Sequence, residues 1–347
     1  MKEAFVHKDL AVSIRDTGIP VPQAGQVLIR VVVSGTNPKD WKMPPHWPTD
    51  GSPFNQGDDI AGYVEAVGAG VVGFRKGDKV AAFHQVMTPH GSYAEYAIAW
   101  DSTTFHVPEK TSFEEAATIP LAAMTAALGL YQELKLPLPW NPTSEPLPLL
   151  IYGGATAVGA FAIKFAQLSN IHPLITVAGK GIPFVQTLLD PEQGDVVIDY
   201  RDGDEAIRTQ ITAAAGGRPI HYAFDGVSEH GSFENIGAAL TGPGGMITML
   251  PSGSFQPPDG IRIGQAIAGS VHFPPAAGKT IDNAEFGAAF FQLIGRGLAK
   301  GWFEGHPFEV RPGGLGGIKG ALQDLRDRKV SAVKYVVRIG ETEGVSK

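Results

Sequence analysis

An α/β fold built on a doubly wound parallel sheet, with a β-rich unit ahead of it, is predicted by three observations. From about residue 149, apolar runs of strand length alternate with stretches of helical periodicity, the order that parallel βαβ units require. Before residue 120, short strand-like runs are instead broken by Pro, Gly and Asp. Residues 150–169, LIYGGATAVGAFAIKFAQLS, pass from an apolar strand through a glycine-rich turn into an apolar helix. At 347 residues the chain exceeds one ordinary core, so two domains are expected.

In order, KEAFV, QVLIRVVVS, DIAGYVEAVG, DKVAAF and SYAEYAIA read as strands. In NPKDWKMPPHWP, Asn37 can cap and Pro38 can open a helical turn that Pro44 and Pro45 stop, which leaves Lys42 at the end of a short, rigid turn. EEAATIPLAAMTAALGLYQELKL reads as helix, followed by the proline-broken loop PLPWNPTSEPLP. Six further strands are read at LLIYG, PLITVA, VVIDY, YAFDGV, GMITML and AIAGSVHF, with helices between most of them. GLGGIKGALQDLRDRKVSAVKYVVRI gives a last helix and strand.

A dinucleotide site needs a turn whose backbone can approach a pyrophosphate, a helix N-terminus facing it, and a small residue where helix meets strand. Gly153 and Gly154 supply the turn, Ala155, Ala157 and Val158 open the helix, and Gly159 is the small residue. Counting GxGxxG from Gly154, the middle glycine is Thr156. A β-branched residue is costly at positive φ, and its hydroxyl is read as a donor to a phosphate oxygen. PLITVAGKG then completes a Rossmann-type βαβ unit.

The second strand also selects the cofactor. An NAD site expects a carboxylate there, about 20 residues on, for the ribose hydroxyls. Here the strand ends without an acid and offers Lys180 as a cation for a 2′-phosphate, with Tyr200 after the next strand as a hydroxyl donor beside Arg201. NADPH is therefore expected over NADH; the competing reading of Lys180 is a solvated turn lysine. Strand C-termini bind ligands in open α/β sheets, so Phe224 to Val227 and the backbone at Met249, Leu250 and Pro251 are expected at the carboxamide end.

The net charge of −7 and the scattered Lys and Arg give no footprint for nucleic acid or an anionic membrane. No apolar run reaches a membrane span, and the N-terminus lacks an apolar leader. With no cysteine there are no disulfides, thiolate zinc sites or cysteine nucleophiles, and a cytoplasmic location is expected. His84 and His90 sit in a Pro-containing loop without a third ligand, so no metal is expected.

The ordered set GDDIAGYVEAVG, GSYAEYAIA, AATIPLAAMTAALGLY, YGGATAVG and KVSAVKYVVRI resembles the medium-chain dehydrogenase/reductase superfamily over nearly the whole chain. NPKDWK and TIPLAAMTAALGLY look most like its zinc-free quinone oxidoreductases and enoyl reductases, particularly the fungal trans-acting enoyl reductases. The resemblance implies a GroES-like β-barrel catalytic domain over 1–121, a Rossmann NADPH-binding domain over 122–299, a return to the catalytic domain over 300–347, and a cleft between the domains. Where zinc-dependent relatives carry ligand residues, this chain reads SGTNPKD and GDDIAG, so Asp58 is at most a weak ligand.

By the same resemblance, Lys42, Asn37 and Thr125 are the expected catalytic residues: Lys42, in the family's NPxDWK segment with Asn37, near the nicotinamide ribose, where it would orient the cofactor and polarise the substrate carbonyl, and Thr125 against the nicotinamide. A surface lysine and a helical threonine bonded to its own backbone are the competing readings. Asp59 is expected to organise the barrel. Trp47, Phe54, Phe83, Met87, Tyr93 and Phe273 are candidate walls of the substrate pocket, although a single aromatic more often belongs to a core.

Without a Lewis acid, hydride addition to an activated C=C is more accessible than alcohol oxidation. The expected reaction is reduction of an α,β-unsaturated carbonyl or a quinone. A carbonyl reductase and a catalytically idle NADPH-binding protein remain as alternatives. The resemblance implies either carrier-bound substrate and a polyketide synthase partner, or free small molecules and a homodimer; no motif chooses between them, or between monomer and dimer.

Overall fold

The computed structural model describes every residue except 47–49, 250–253, 276, 278–281 and 346–347. The chain divides into two compact units, one of residues 1–121 with 269–347 and one of residues 122–268. The expected return at residue 300 is corrected to 269.

In the first unit, β1 (Lys2–Val6) and β2 (Val12–Asp16) form a hairpin. β3 (Gln26–Gly35) is followed by the single turn α1 (Lys39–Lys42), then β4 (Asp59–Val67), β5 (Lys79–Phe83), β6 (Tyr96–Trp100) and β7 (Thr104–His106). α2 (Phe113–Ala116), with Ser112 accepting from Glu115 N at 3.1 Å, comes next, and α3 (Pro120–Ala127) starts in this unit and continues from Ala122 as the first element of the second. The expected continuous helix is thus broken at 117–119, and a π-helical turn over Leu128–Glu133 extends α3.

The second unit follows the predicted alternation: β8 (Leu149–Tyr152), α4 (Ala157–Leu168), β9 (Leu174–Ala178), α5 (Ile182–Gln186), β10 (Val196–Asp199), α6 (Asp204–Ala214), β11 (Ile220–Asp225), α7 (Ser232–Ala239), β12 (Leu240–Thr248) and β13 (Ile261–Gln265). AIAGSVHF is not the sixth strand; residues 268–272 form a 3-10 turn, and IRIGQ, which alternates Ile with polar or small residues, pairs with β12 instead. All pairings in this sheet are parallel, in the order β10-β9-β8-β11-β12-β13. β8 and β9 are buried along their whole length, which is why they read as unbroken apolar runs.

The chain order reverses between β8 and β11, so the C-terminal ends of these two strands form the switch point where such sheets bind ligands. Ile175, Val177, Ile198, Ile207, Ile211, Ile236 and Met246 fill one core of the unit.

The chain then returns to the first unit as α8 (Asn283–Lys300), β14 (Phe308–Val310), α9 (Ile318–Arg326) and β15 (Lys334–Arg338). α8 belongs here because Phe291 stacks on Phe105 of β7 at 5.8 Å and Gly295 lies against the backbone of His106. The sheet runs β14-β15-β3-β4-β5-β7, with β6 also on β3. Val27, Ile29, Ile60, Val80, Leu315, Ile318 and Val337 close its core. No helix of the described residues is long and apolar enough to cross a membrane.

Candidate functional site: a dinucleotide cradle and a buried ionic network

The turn after β8 is pinned to the sheet. Gly153 and Gly154 both donate their N–H to Val177 O, at 2.9 and 3.0 Å. The residue at positive φ is Gly153 (+86°), one place before the glycine from which the motif was counted. Thr156 lies in extended backbone, φ −73°, as the N-cap of α4. Its hydroxyl donates to Gly153 O at 2.9 Å and accepts from Gly159 N at 3.0 Å. The expected role as phosphate donor is therefore corrected: the hydroxyl proton is committed to the turn, and Thr156 caps the helix.

Gly159 is needed for approach, since a Cβ there would stand 2.2 Å from Gly153 O. Ala155, Ala157 and Val158 are half-buried around the N-terminus of α4, where first-turn N–H groups lack intrahelical acceptors and the helix dipole favours an anion.

At the end of β9, Gly179 is covered by the Tyr200 ring: a Cβ on Gly179 would lie 2.3 Å from Tyr200 Cε1. A carboxylate-bearing side chain at that position has no room. Lys180 is exposed beside it, and Tyr200 is half exposed. The nearby acid Asp199 is bound by Arg201, whose Nε lies 2.8 Å from its Oδ1. These residues fit a cofactor that carries a 2′-phosphate.

At the switch point, the loop after β11 is organised by Asp225, a buried carboxylate that accepts from Val227 N (3.0 Å), Ser228 N (2.8 Å) and Ser232 Oγ (2.6 Å). Burial raises its pKa against the opposing effect of those bonds. Ser228 Oγ accepts from Met249 N at 2.7 Å and so ties the ends of β11 and β12 together. Asp225 falls inside the expected stretch from Phe224 to Val227, whereas Ser228 lies one residue beyond it; Asp followed by Gly at a strand end is the Asx-turn signal for this loop.

Val227 is half-buried beside Gly153. Phe224, expected at the cofactor, has its side chain fully buried against Gly129, which leaves only its backbone for that role. Leu250 and Pro251 lie outside the described residues, as does Trp47. Thr125 is a buried residue of α3.

In the first unit, Asn37 is not free to meet a substrate. Its Nδ2 donates to Asp59 Oδ2 at 2.6 Å, its Oδ1 accepts from Lys334 Nζ at 3.1 Å, and its N–H donates to Asp40 Oδ2 at 2.7 Å. Its assignment as a catalytic residue is corrected to an internal one. Lys39 Nζ lies 2.8 Å from Asp40 Oδ1, 2.6 Å from Asp58 Oδ2 and 2.6 Å from Gln56 O. Tyr93 OH donates to Asp40 Oδ2 at 2.6 Å. Burial pushes Asp58 up to about 7 against the pull of Lys39, and it raises Asp40 as well.

The Asp58 position is thus filled by an internal ammonium. Among the described residues no three His, Asp or Glu side chains converge as a metal site. His84 is buried, its Nδ1 2.7 Å from Ile98 O and its Nε2 3.1 Å from Thr88 O, and burial holds its pKa down. Lys42, half-buried, holds its ammonium 5.5 Å from the centroid of Trp41.

Two of the six proposed pocket walls are corrected: Phe83 and Tyr93 are fully buried core residues. Phe54 is half-buried and bridged to Val6, while Met87 and Phe273 are exposed. Lys39 and Asp40 escaped the sequence reading because Asp58, Gln56 and Tyr93, which complete their network, come from other segments, and Lys334 because its partners Asp59, Asn37 and Thr118 do.

Residues 23–109 match the alcohol dehydrogenase GroES-like domain. The chain is 45% identical to the trans-enoyl reductase fsr4 of Gibberella fujikuroi over 90% of its own length and 91% of that protein's. It is 34% identical to the trans-enoyl reductase resD of Aspergillus sclerotiorum, over 95% and 97% of the two chains. Its fold matches a solved mycobacterial protein complexed with NADPH with a TM-score of 0.75 at 23% identity, covering 97% and 99% of the chains.

Proposed function

Because this chain belongs to the medium-chain dehydrogenase/reductase superfamily, alongside the fungal trans-enoyl reductases, we propose that it is an NADPH-dependent, zinc-independent reductase of an activated C=C in an α,β-unsaturated carbonyl compound. The observation that carries the cofactor assignment is the end of β9, where the Tyr200 ring excludes a side chain at Gly179 and Lys180 is the adjacent cation. NADPH, when bound, supplies the hydride.

This chain's part is to bind and orient. The α4 N-terminus and the Gly153–Gly154 backbone hold the pyrophosphate, and Lys180 with Tyr200 holds the 2′-phosphate. Asp225 and Ser228 stiffen the loop at the switch point, where the carboxamide end is bound. Lys42 orients the nicotinamide ribose and polarises the substrate carbonyl, and Thr125 lies against the nicotinamide. The enolate formed by hydride addition is protonated by water or a nearby donor.

Zinc independence is supported by the donor set. The position of the family's ligand histidine is held by Asp58, and Asp58 is already neutralised by Lys39. Carbonyl polarisation then falls to hydrogen bonds and positioning. The trans-enoyl reductase relatives make an unsaturated acyl chain on a carrier the favoured substrate, with a polyketide synthase as the partner that presents it.

Lys180→Ala is expected to raise the KM for NADPH by about tenfold and to change that for NADH less than about twofold, since one charge-assisted phosphate contact is worth roughly 1.5–3 kcal/mol. Steady-state kinetics with both cofactors measures this. An equal effect on the two would remove Lys180 from the 2′-phosphate site.

A further inference from the structure

Lys334, the first residue of β15, brings a buried charge to a place where a hydrophobic side chain would pack at less cost. Its side chain is 4% exposed, and Nζ donates to Asp59 Oδ2 at 2.5 Å, Asn37 Oδ1 at 3.1 Å and Thr118 O at 3.3 Å. These use all three donors of the ammonium. Asp59 is shared in turn: Oδ2 also accepts from Asn37 Nδ2, and Oδ1 accepts from Leu121 N at 2.7 Å. Leu121 lies in the first turn of α3, whose N–H groups have no intrahelical acceptor, so this carboxylate caps the helix with charge of the favourable sign.

On the other side, Asn37 opens the turn of α1. Gly35 leaves the space: a Cβ there would stand 2.3 Å from Ala117 O, 3.1 Å from Asp59 Cβ and 3.2 Å from Lys334 Cε. One ammonium from the last strand therefore holds together the start of α1, the middle sheet and the start of α3.

We infer that Lys334, acting through Asp59 and Asn37, is a positioning residue that fixes the turn carrying Lys42. The inference rests on the reading above, in which Lys42 serves the cofactor. Lys334 touches neither substrate nor cofactor. It sets where Lys42 stands, and misplacement on the scale of 1 Å is enough to cost about 100-fold in rate.

The test compares the full-length protein with Lys334→Met and with the double variant Asp59→Leu/Lys334→Met. Lys334→Met leaves the Asp59 carboxylate buried without its cation; Tm is expected to fall and kcat for an enone to drop about 30-fold. The double variant removes both charges and is expected to recover most of the lost Tm while kcat stays low, with the KM for NADPH within about twofold of wild type. A merely structural network would restore kcat together with Tm, and that result would overturn the inference.

Anisotropy of the bound nicotinamide's fluorescence gives a readout that needs no acceptor. If wild-type protein binds NADPH but reduces no enone, the reductase reading fails, and the inference is still judged: lower anisotropy in the double variant supports it, and unchanged anisotropy overturns it.

Discussion

Gly159→Val is expected to weaken NADPH binding by at least ~100-fold, or about 2.7 kcal/mol, with unit folding retained. A Cβ at this position would lie 2.2 Å from Gly153 O, 2.9 Å from Gly153 C and 3.1 Å from Gly154 Cα. All three contacts are backbone of the phosphate turn, so no side-chain rotation relieves them. Either α4 or the turn must shift, and the turn is fixed by its two bonds to Val177 O. A shift of the turn removes the N–H groups from the pyrophosphate. The control is Gly154→Ala, whose Cβ meets Ile163 Cδ1 at 3.3 Å and Thr176 Cβ at 3.4 Å, side-chain contacts that can give by a few tenths of an ångström. It is expected to cost about 1 kcal/mol or less of stability and to bind NADPH within about fivefold of wild type. Fluorescence titration of NADPH against each variant, with circular dichroism to verify folding, measures the contrast; equal binding by both variants would show that the close approach of α4 has no part in the site.

Lys39→Met is expected to destabilise the first unit by about 3–5 kcal/mol at neutral pH, because Asp40 and Asp58 lose the ammonium that lies between them. Asp58 is raised by burial to about 7 even with Lys39 beside it. A carboxyl group whose pKa is higher folded than unfolded binds more protons in the folded state, so its contribution to stability falls as pH rises from the unfolded value of about 4 through the folded one. Removing Lys39 takes away the main influence that lowers Asp58 and Asp40, and their pKa values rise further. The stability deficit of the variant is therefore expected to be small near pH 5, where Asp58 is protonated with or without Lys39, and to widen toward pH 8. Urea unfolding of wild type and variant at pH 5, 6.5 and 8 gives the three differences. A deficit that is constant with pH would mean that loss of packing, not of charge, dominates.

Legibility of the sequence depended on range. β8, α4 and β9 could be placed because each signal is local: apolar strands buried on both faces, glycines at a turn, and an apolar helix after it. The sixth strand was misplaced because IRIGQ is short and follows a stretch rich in Pro and Gly, while AIAGSVHF is apolar yet built from small residues that suit a tight turn. The end of the second unit was set too late, since the affiliation of α8 is decided by Phe291 on Phe105 across 186 positions of sequence.

The same distinction runs through the site. Lys180 and the absence of an acid beside it are local and legible; the crowding of Gly179 by Tyr200 is not local, although Tyr200 is itself read as a hydroxyl donor. Thr156 is a visible departure from the motif, but what takes its place is set by geometry: Gly153 adopts the positive φ, and Thr156 caps α4. Lys334 was invisible as a partner of Asp59 and Asn37 because 275 and 297 positions separate them.

In the proposed reaction this chain directs a hydride from the nicotinamide to the β-carbon of an activated C=C. NADPH deuterated at C4 of the nicotinamide, incubated with the protein and an α,β-unsaturated thioester, tests it by NMR and mass spectrometry of the product. A saturated thioester carrying one deuterium at the β-carbon, formed without added zinc, is the result predicted. Deuterium at the carbonyl carbon, or turnover only with zinc supplied, would contradict it.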